Sequence, residues 1–187
     1  YDYLANTELL KHTKKDIEII YVGKTGKYHI KEQDDINNIL LECASKYSTT
    51  VRLKGGDPYI FGRGAEEAEF LIDNNIDVEI VPGVSSFYSA AAYAGIPVTH
   101  RDYSSSFAVL TGHKKDETSN LDINIPIVDT LIFLMGISNL KEIIKKVINS
   151  GYKKSTPIAI INWGTSAKQK IWTGTLENIV SIASKEK

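Results

Sequence analysis

The residues best equipped for chemistry stand in and around a double-glycine turn. Gly55-Gly56-Asp57-Pro58 closes the short apolar run at residues 51–53. A double glycine lets backbone come very close to a ligand. Asp57 can cap a turn, accept hydrogen bonds from a ligand amine, or bind a ribose. The same stretch continues through Phe61-Gly62-Arg63-Gly64, Val81-Pro82-Gly83-Val84-Ser85-Ser86 and Tyr93-Ala94-Gly95-Ile96-Pro97-Val98-Thr99-His100-Arg101-Asp102. It also carries the cations Arg52, Lys54, Arg63 and Arg101. Bare backbone at the end of a parallel strand is where open α/β sheets hold ligands. Asp2 and Lys24 form a possible acid/base pair, each near the end of a presumed strand. Read alone, each is exposed surface charge first and an acid or base second. Ser85-Ser86 reads as a helix N-cap, or as hydroxyls and free N–H groups offered to a ligand.

Other chemistries find no support. There is no Gly-x-Gly-x-x-Gly and no Walker sequence, and Pro58 directly after Asp57 does not announce a phosphate on a helix terminus. His12, His29, His100 and His113 are scattered, so a metal site is not expected. No Gly-x-Ser-x-Gly elbow occurs, and Cys43 falls in the middle of an apolar helical stripe, which suits packing rather than nucleophilic catalysis. Cys43 is the only cysteine of 187 residues, so no intrachain disulfide is possible and a reducing compartment fits. The net charge of −1 argues against broad nucleic-acid or membrane electrostatics. Two local basic runs, one at Lys24, Lys27, His29 and Lys31 and one at His113, Lys114 and Lys115, read alone as solvated surface. No apolar run approaches the ~20 residues that span a membrane. No signal peptide is in view, and the chain starts at Tyr1 without a methionine.

The elements that must position these residues alternate. β-rich runs at 17–23, 51–53 and 78–81 are separated by helical periodicities through Ile36, Ile39, Leu40, Cys43, Ala44 and Tyr47, and through Ala68, Leu71 and Ile72. An alanine-rich helix follows at 86–94. The pattern restarts with strands at 107–110 and 130–135. A helical stripe then runs through Leu140, Ile143, Ile144, Val147 and Ile148, with Ser138 as its N-cap and Gly151 as its stop. A strand at 157–163 and a helix through Leu176, Ile179, Val180 and Ala183 complete the chain. Such alternation predicts α/β with mostly parallel sheets. The polar segment 101–106 predicts a domain boundary, giving domains 1–103 and 104–187.

Together these motifs resemble the tetrapyrrole methylase family. The resemblance covers nearly all of the chain. It rests on Tyr21-Val22-Gly23-Lys24, on residues 51–64, 81–86 and 93–103, on Thr111-Gly112-His113, on Met135-Gly136-Ile137-Ser138-Asn139-Leu140, and on Trp163-Gly164-Thr165. The Gly-Gly-Asp-Pro and Val-Pro-Gly elements are shared by many of its methylases. The run at 94–102 is more specific to those acting on uroporphyrinogen III.

The resemblance implies a two-domain fold with a cleft between the domains, in which S-adenosylmethionine binds in a bent form and leaves as S-adenosylhomocysteine. Gly55, Gly56, Asp57, Ile60, Ser85, Ser86, Met135 and Gly164 match the cofactor positions. Asp2 matches the proton acceptor and Lys24 the proton donor. Arg52 and Arg63 are candidates for substrate carboxylates. The implied reaction is two C-methylations of uroporphyrinogen III, giving precorrin-2 on the way to sirohaem or cobalamin. The implied setting is a cytoplasmic homodimer with no nucleic-acid or membrane partner. The alternatives are a methylase of a later corrin precursor and a non-catalytic fragment of a fused protein. The family's first strand and its glycine-rich loop are expected before Tyr1, and closing strands after Lys187.

Overall fold

The computed structural model describes residues 1–23, 33–113, 121 and 123–185. They fall into two compact units, Tyr1–Ser85 and Ser86–Lys187. The boundary drawn from sequence, at 103/104, falls within the second unit.

In the first unit a 3-10 turn, Thr7–His12, is capped by Asn6, whose side chain accepts from the Glu8 N–H. Helix α1 spans Gln33–Lys46 and α2 spans Gly64–Asp73. α1 places Asp34 and Asp35 in its first turn and Lys46 in its last, which matches the helix dipole at both ends. The two helices pack on each other. α1 buries Asn37 and Leu40, and α2 buries Gly64, Glu67 and Ala68. Ile72, expected to face inward, is exposed. The three β-rich runs form no regular strand among the described residues. Propensity supplies a stiff segment, but a strand also needs a partner for its N–H and C=O groups. One such pairing is present. Tyr1 donates to Ile20 O at 2.9 Å and accepts from the Val22 N–H at 2.9 Å, which is how one residue pairs across a parallel ladder.

The second unit is α/β with a parallel strand pair. Helix α3 (Ser86–Tyr93) packs on that pair, which consists of β1 (Phe107–Thr111) and β2 (Thr130–Leu134) in register from Phe107↔Thr130 to Thr111↔Leu134. A 3-10 turn, Ile137–Asn139, then leads into α4 (Leu140–Asn149), so Ser138 lies inside that turn and Asn139 takes the cap position. Gly151, just past the helix, has the positive φ expected of a stop. β3 (Pro157–Asn162) and β4 (Lys170–Thr175) form a second, antiparallel pair beside the parallel one. β4 was not expected, and α5 (Ile179–Ser184) starts later than the apolar stripe suggested. Leu121, Ile125, Ile143, Ile144, Val147, Leu176 and Ile179 form the core, and Ile179 is 0% exposed. Among the described residues no helix is long and apolar enough to cross a membrane.

The serine-rich segment has a structural task. One oxygen of Asp129, Oδ2, accepts from the Ser105 and Ser106 N–H groups at 2.9 and 3.0 Å, and from their hydroxyls at 3.0 and 2.9 Å. The Ser104 and Thr130 hydroxyls bond at 2.6 Å beside it. These bonds fix the starts of β1 and β2 relative to each other, and with them the register. The Ser106 hydroxyl first, and then the bonds from Ser105, hold the Asp129 carboxyl below its ordinary value. A lowered folded-state value means that the clamp contributes above the ordinary carboxylate range and is lost as pH falls through the lowered one. Asp129→Asn should therefore destabilise the chain near neutrality. The gap in urea midpoint between variant and parent should close on acidification below the carboxylate range; a gap independent of pH would show that the charge contributes nothing.

Candidate active site

Asp57 joins two loops. Its Oδ1 accepts from the Tyr59 N–H at 2.8 Å, which caps the Gly-Gly-Asp-Pro turn. Its Oδ2 accepts from the Gly83 N–H at 2.9 Å, 26 residues further on. Of the three roles open to Asp57 from sequence, the structure shows turn capping, and it adds the tie to Gly83. Gly83 must be glycine, because a side-chain carbon there would collide with the carbonyl oxygen of Gly56. Gly56 itself is exposed, with φ +75, and a side chain there would meet nothing nearer than Val84 O at 3.9 Å. Its Cα is thus open to solvent while its carbonyl lies against Gly83, and Gly55 packs against Leu4. Ile60 is exposed beside the turn and Ser85 is buried.

Asp2 meets this loop system through charge. Its Oδ1 accepts from the Leu4 N–H at 3.2 Å and its Oδ2 lies 3.3 Å from Arg52 Nη2. The same nitrogen is 3.4 Å from Glu67 Oε1. Lys54 donates to both Glu67 oxygens at 3.0 Å. Side-chain exposures of 15% for Arg52, 9% for Lys54 and 6% for Glu67 make this an enclosed network. Glu67 was not singled out from sequence, and Lys54 was named only as one of the stretch's cations. A lysine between strand and turn and a glutamate on a helix carry no pairing signal until the fold brings them together. Lys24 lies outside the described residues, as does the basic run containing it and the pair Lys114-Lys115. Arg63 is exposed and pairs with Glu66 at 2.6 Å, which holds the Glu66 carboxyl below its ordinary value.

In the second unit Ser86 opens α3 and is exposed. Met135 follows the carboxyl end of β2 and is 52% exposed. Gly164 packs against Ala90 of α3, so its glycine is required by close approach. Among the described residues, six non-glycine residues adopt positive φ: Phe61, Arg63, Asn75, Met135, Trp163 and Thr165. All but Asn75 coincide with or adjoin Ile60, Arg63, Met135 or Gly164. Such backbone costs energy, and it gathers where side chains or peptides must be aimed. Cys43 is half-buried, and burial first, then Glu18 and Glu42, pushes its thiol up, away from nucleophilic use.

Residues 1–180 match the sequence profile of the Tetrapyrrole (Corrin/Porphyrin) Methylases. The chain belongs to the tetrapyrrole methylase family. It is 50% identical over 189 residues to a uroporphyrinogen-III C-methyltransferase of Priestia megaterium, covering 100% of this chain and 79% of that protein. It is 42% identical to a siroheme synthase of Pseudomonas entomophila, covering 99% of this chain and 40% of that longer protein. The crystal structure of uroporphyrin-III C-methyl transferase from Thermus thermophilus, complexed with S-adenyl homocysteine, superposes with a TM-score of 0.79 at 32% identity, covering 97% of this chain and 77% of that one.

If Asp57 clamps the two loops, Asp57→Ala should speed hydrogen exchange at the Tyr59 and Gly83 amides about tenfold, the equivalent of losing ~1–2 kcal/mol in a hydrogen bond to a charged group. The Val109 amide within β1 should be unaffected. Unchanged exchange at both loop amides would remove the clamp.

Proposed function

We propose that this chain catalyses S-adenosylmethionine-dependent C-methylation of uroporphyrinogen III, twice, to give precorrin-2 for sirohaem or cobalamin synthesis. The observation that carries the reading is the exposed Gly56 turn that Asp57 holds beside Gly83; the relatives supply the substrate. We assign Gly55, Gly56, Asp57, Ile60, Ser85, Ser86, Met135 and Gly164 to the cofactor. Asp2 and Lys24 are assigned to proton transfer, and Arg52 and Arg63 to substrate carboxylates. The division into domains 1–103 and 104–187, and a homodimeric, cytoplasmic setting, belong to the same reading.

S-adenosylmethionine supplies a methyl group already activated on a sulfonium. A pyrrole carbon is nucleophilic enough to accept it, so no serine or cysteine nucleophile is needed. The chain's task is alignment, and rigid loops serve that task. The Asp57 bonds and the collision-free Gly83 keep the Gly56 peptide in one place. Each transfer forms a carbon–carbon bond and releases a proton from the ring system. Asp2, bonded through Oδ1 to a backbone N–H and through Oδ2 to Arg52, is the carboxylate assigned to receive it. Lys24 is the assigned donor when the ring rearranges. Arginine suits a polycarboxylate because its planar fork matches the carboxylate group; Arg63 is exposed, whereas Arg52 is largely enclosed and already bonded to Asp2, Glu67 and Leu53 O.

Incubated with S-adenosylmethionine and uroporphyrinogen III, the protein should yield a product carrying two added methyl groups, heavier by two CH2 units because each transfer also releases a proton. Asp57→Ala should weaken cofactor binding about tenfold, from ~1.4 kcal/mol of lost loop positioning. Asp2→Asn and Lys24→Ala should lower kcat by roughly a hundredfold, as expected for removing a general acid or base, while the cofactor Kd in calorimetry moves far less. Undiminished turnover in both variants would remove their assignment, and no gain of methyl groups would remove the function.

A further inference from the structure

Glu67 is a buried carboxylate to which the reaction above gives no role. It lies on α2 with its side chain 6% exposed. Taking such a group from water is costly unless its partners compensate. It receives Lys54 Nζ on both oxygens at 3.0 Å, Gln33 Nε2 at 3.3 Å and Arg52 Nη2 at 3.4 Å. Arg52 Nη2 is shared, because it also reaches Asp2 Oδ2 at 3.3 Å. The other terminal nitrogen, Nη1, donates to Leu53 O at 3.1 Å. The remaining donor of the guanidinium, Nε, is buried and has no hydrogen-bond partner among the described residues.

An arginine with two free faces would grip an aspartate through two parallel bonds. This one does not. Glu67 draws Nη2 to one side and the Leu53 carbonyl occupies Nη1, so Asp2 is held by a single nitrogen. The unpartnered Nε is the cost of that tether. We propose that Glu67 is a positioning residue: by holding Arg52 it keeps Asp2 singly bonded and aimed, so that its carboxylate can accept a proton. The inference rests on the assignment of Asp2 as proton acceptor.

A double-mutant cycle separates the two claims. The parent, Glu67→Gln, Asp2→Asn and the double variant are compared in single-turnover methylation of uroporphyrinogen III, with S-adenosylmethionine affinity measured alongside. Glu67→Gln should slow the parent roughly tenfold or more and slow the Asp2→Asn protein by less than about twofold, since residues acting as a unit are non-additive. Cofactor affinity should change by less than about threefold in either background. A merely structural Glu67 would cost the same factor in both backgrounds, and that result overturns the inference while leaving Asp2 in its role. An Asp2→Asn protein with the parent's rate overturns the Asp2 assignment and the inference with it. Should Glu67→Gln fail to fold, Glu67→Asp keeps the charge on a shorter arm, and the same comparison between backgrounds decides.

Discussion

One carboxylate sets the geometry on which the proposed site depends. Asp57 uses one oxygen to cap its own turn and the other to hold Gly83. Neither loop carries a regular strand or helix of its own through these positions; the first has turn bonds from Ile60 N–H to Asp57 O and from Gly64 N–H to Pro58 O, and Asp57 ties it to the second. The tie also explains why both partners are side-chain-free: Gly83 approaches the Gly56 carbonyl too closely for any substituent, and Gly56 is in a left-handed conformation. A ligand meeting this surface encounters backbone at Gly56 alongside the exposed side chains of Tyr59, Ile60 and Val84. Peptide groups that are held in place lose little freedom on binding, which favours alignment of a reaction that needs no strong nucleophile.

Charge does the second piece of positioning. Asp2, Arg52, Glu67 and Lys54 alternate in sign and are largely enclosed, so each restrains the next. Surface pairs such as Lys11–Glu8 and Arg63–Glu66 are solvated and contribute little to stability. The enclosed network differs because a lost partner leaves a charge without water or counter-ion. The same chain therefore has ion pairs of two kinds, and only the enclosed kind can set the orientation of a reacting group.

Much of the second unit was legible in the sequence. The stripe at Leu140, Ile143, Ile144 and Val147 became α4, and the β-branched and aromatic runs read at 107–110 and 130–135 became the parallel pair β1 and β2. The β4 segment, Lys-Ile-Trp-Thr-Gly-Thr, was missed because glycine and alternating polar residues weaken the strand signal, whereas its antiparallel partner β3 supplies the order. Serines 104–106 read as a linker because their composition is that of a loop; their bonds to Asp129 and Thr130 are long-range and leave no local trace. In the first unit the runs at 17–23, 51–53 and 78–81 have strand composition without a ladder, since pairing is a property of neighbours. At the site, the glycines and Asp57 were legible from their spacing. The tie to Gly83, the left-handed Met135 and the Glu67 network were not, because each depends on residues brought together only by folding.

The central claim is that the peptide groups at Gly56 and Gly83, fixed by Asp57, face the methyl donor. Backbone amide shifts recorded by NMR during titration with S-adenosylhomocysteine test it most directly. The account predicts that the largest saturable shifts fall on Gly56, Asp57, Tyr59 and Gly83. Saturable binding that leaves those four amides unmoved would contradict it.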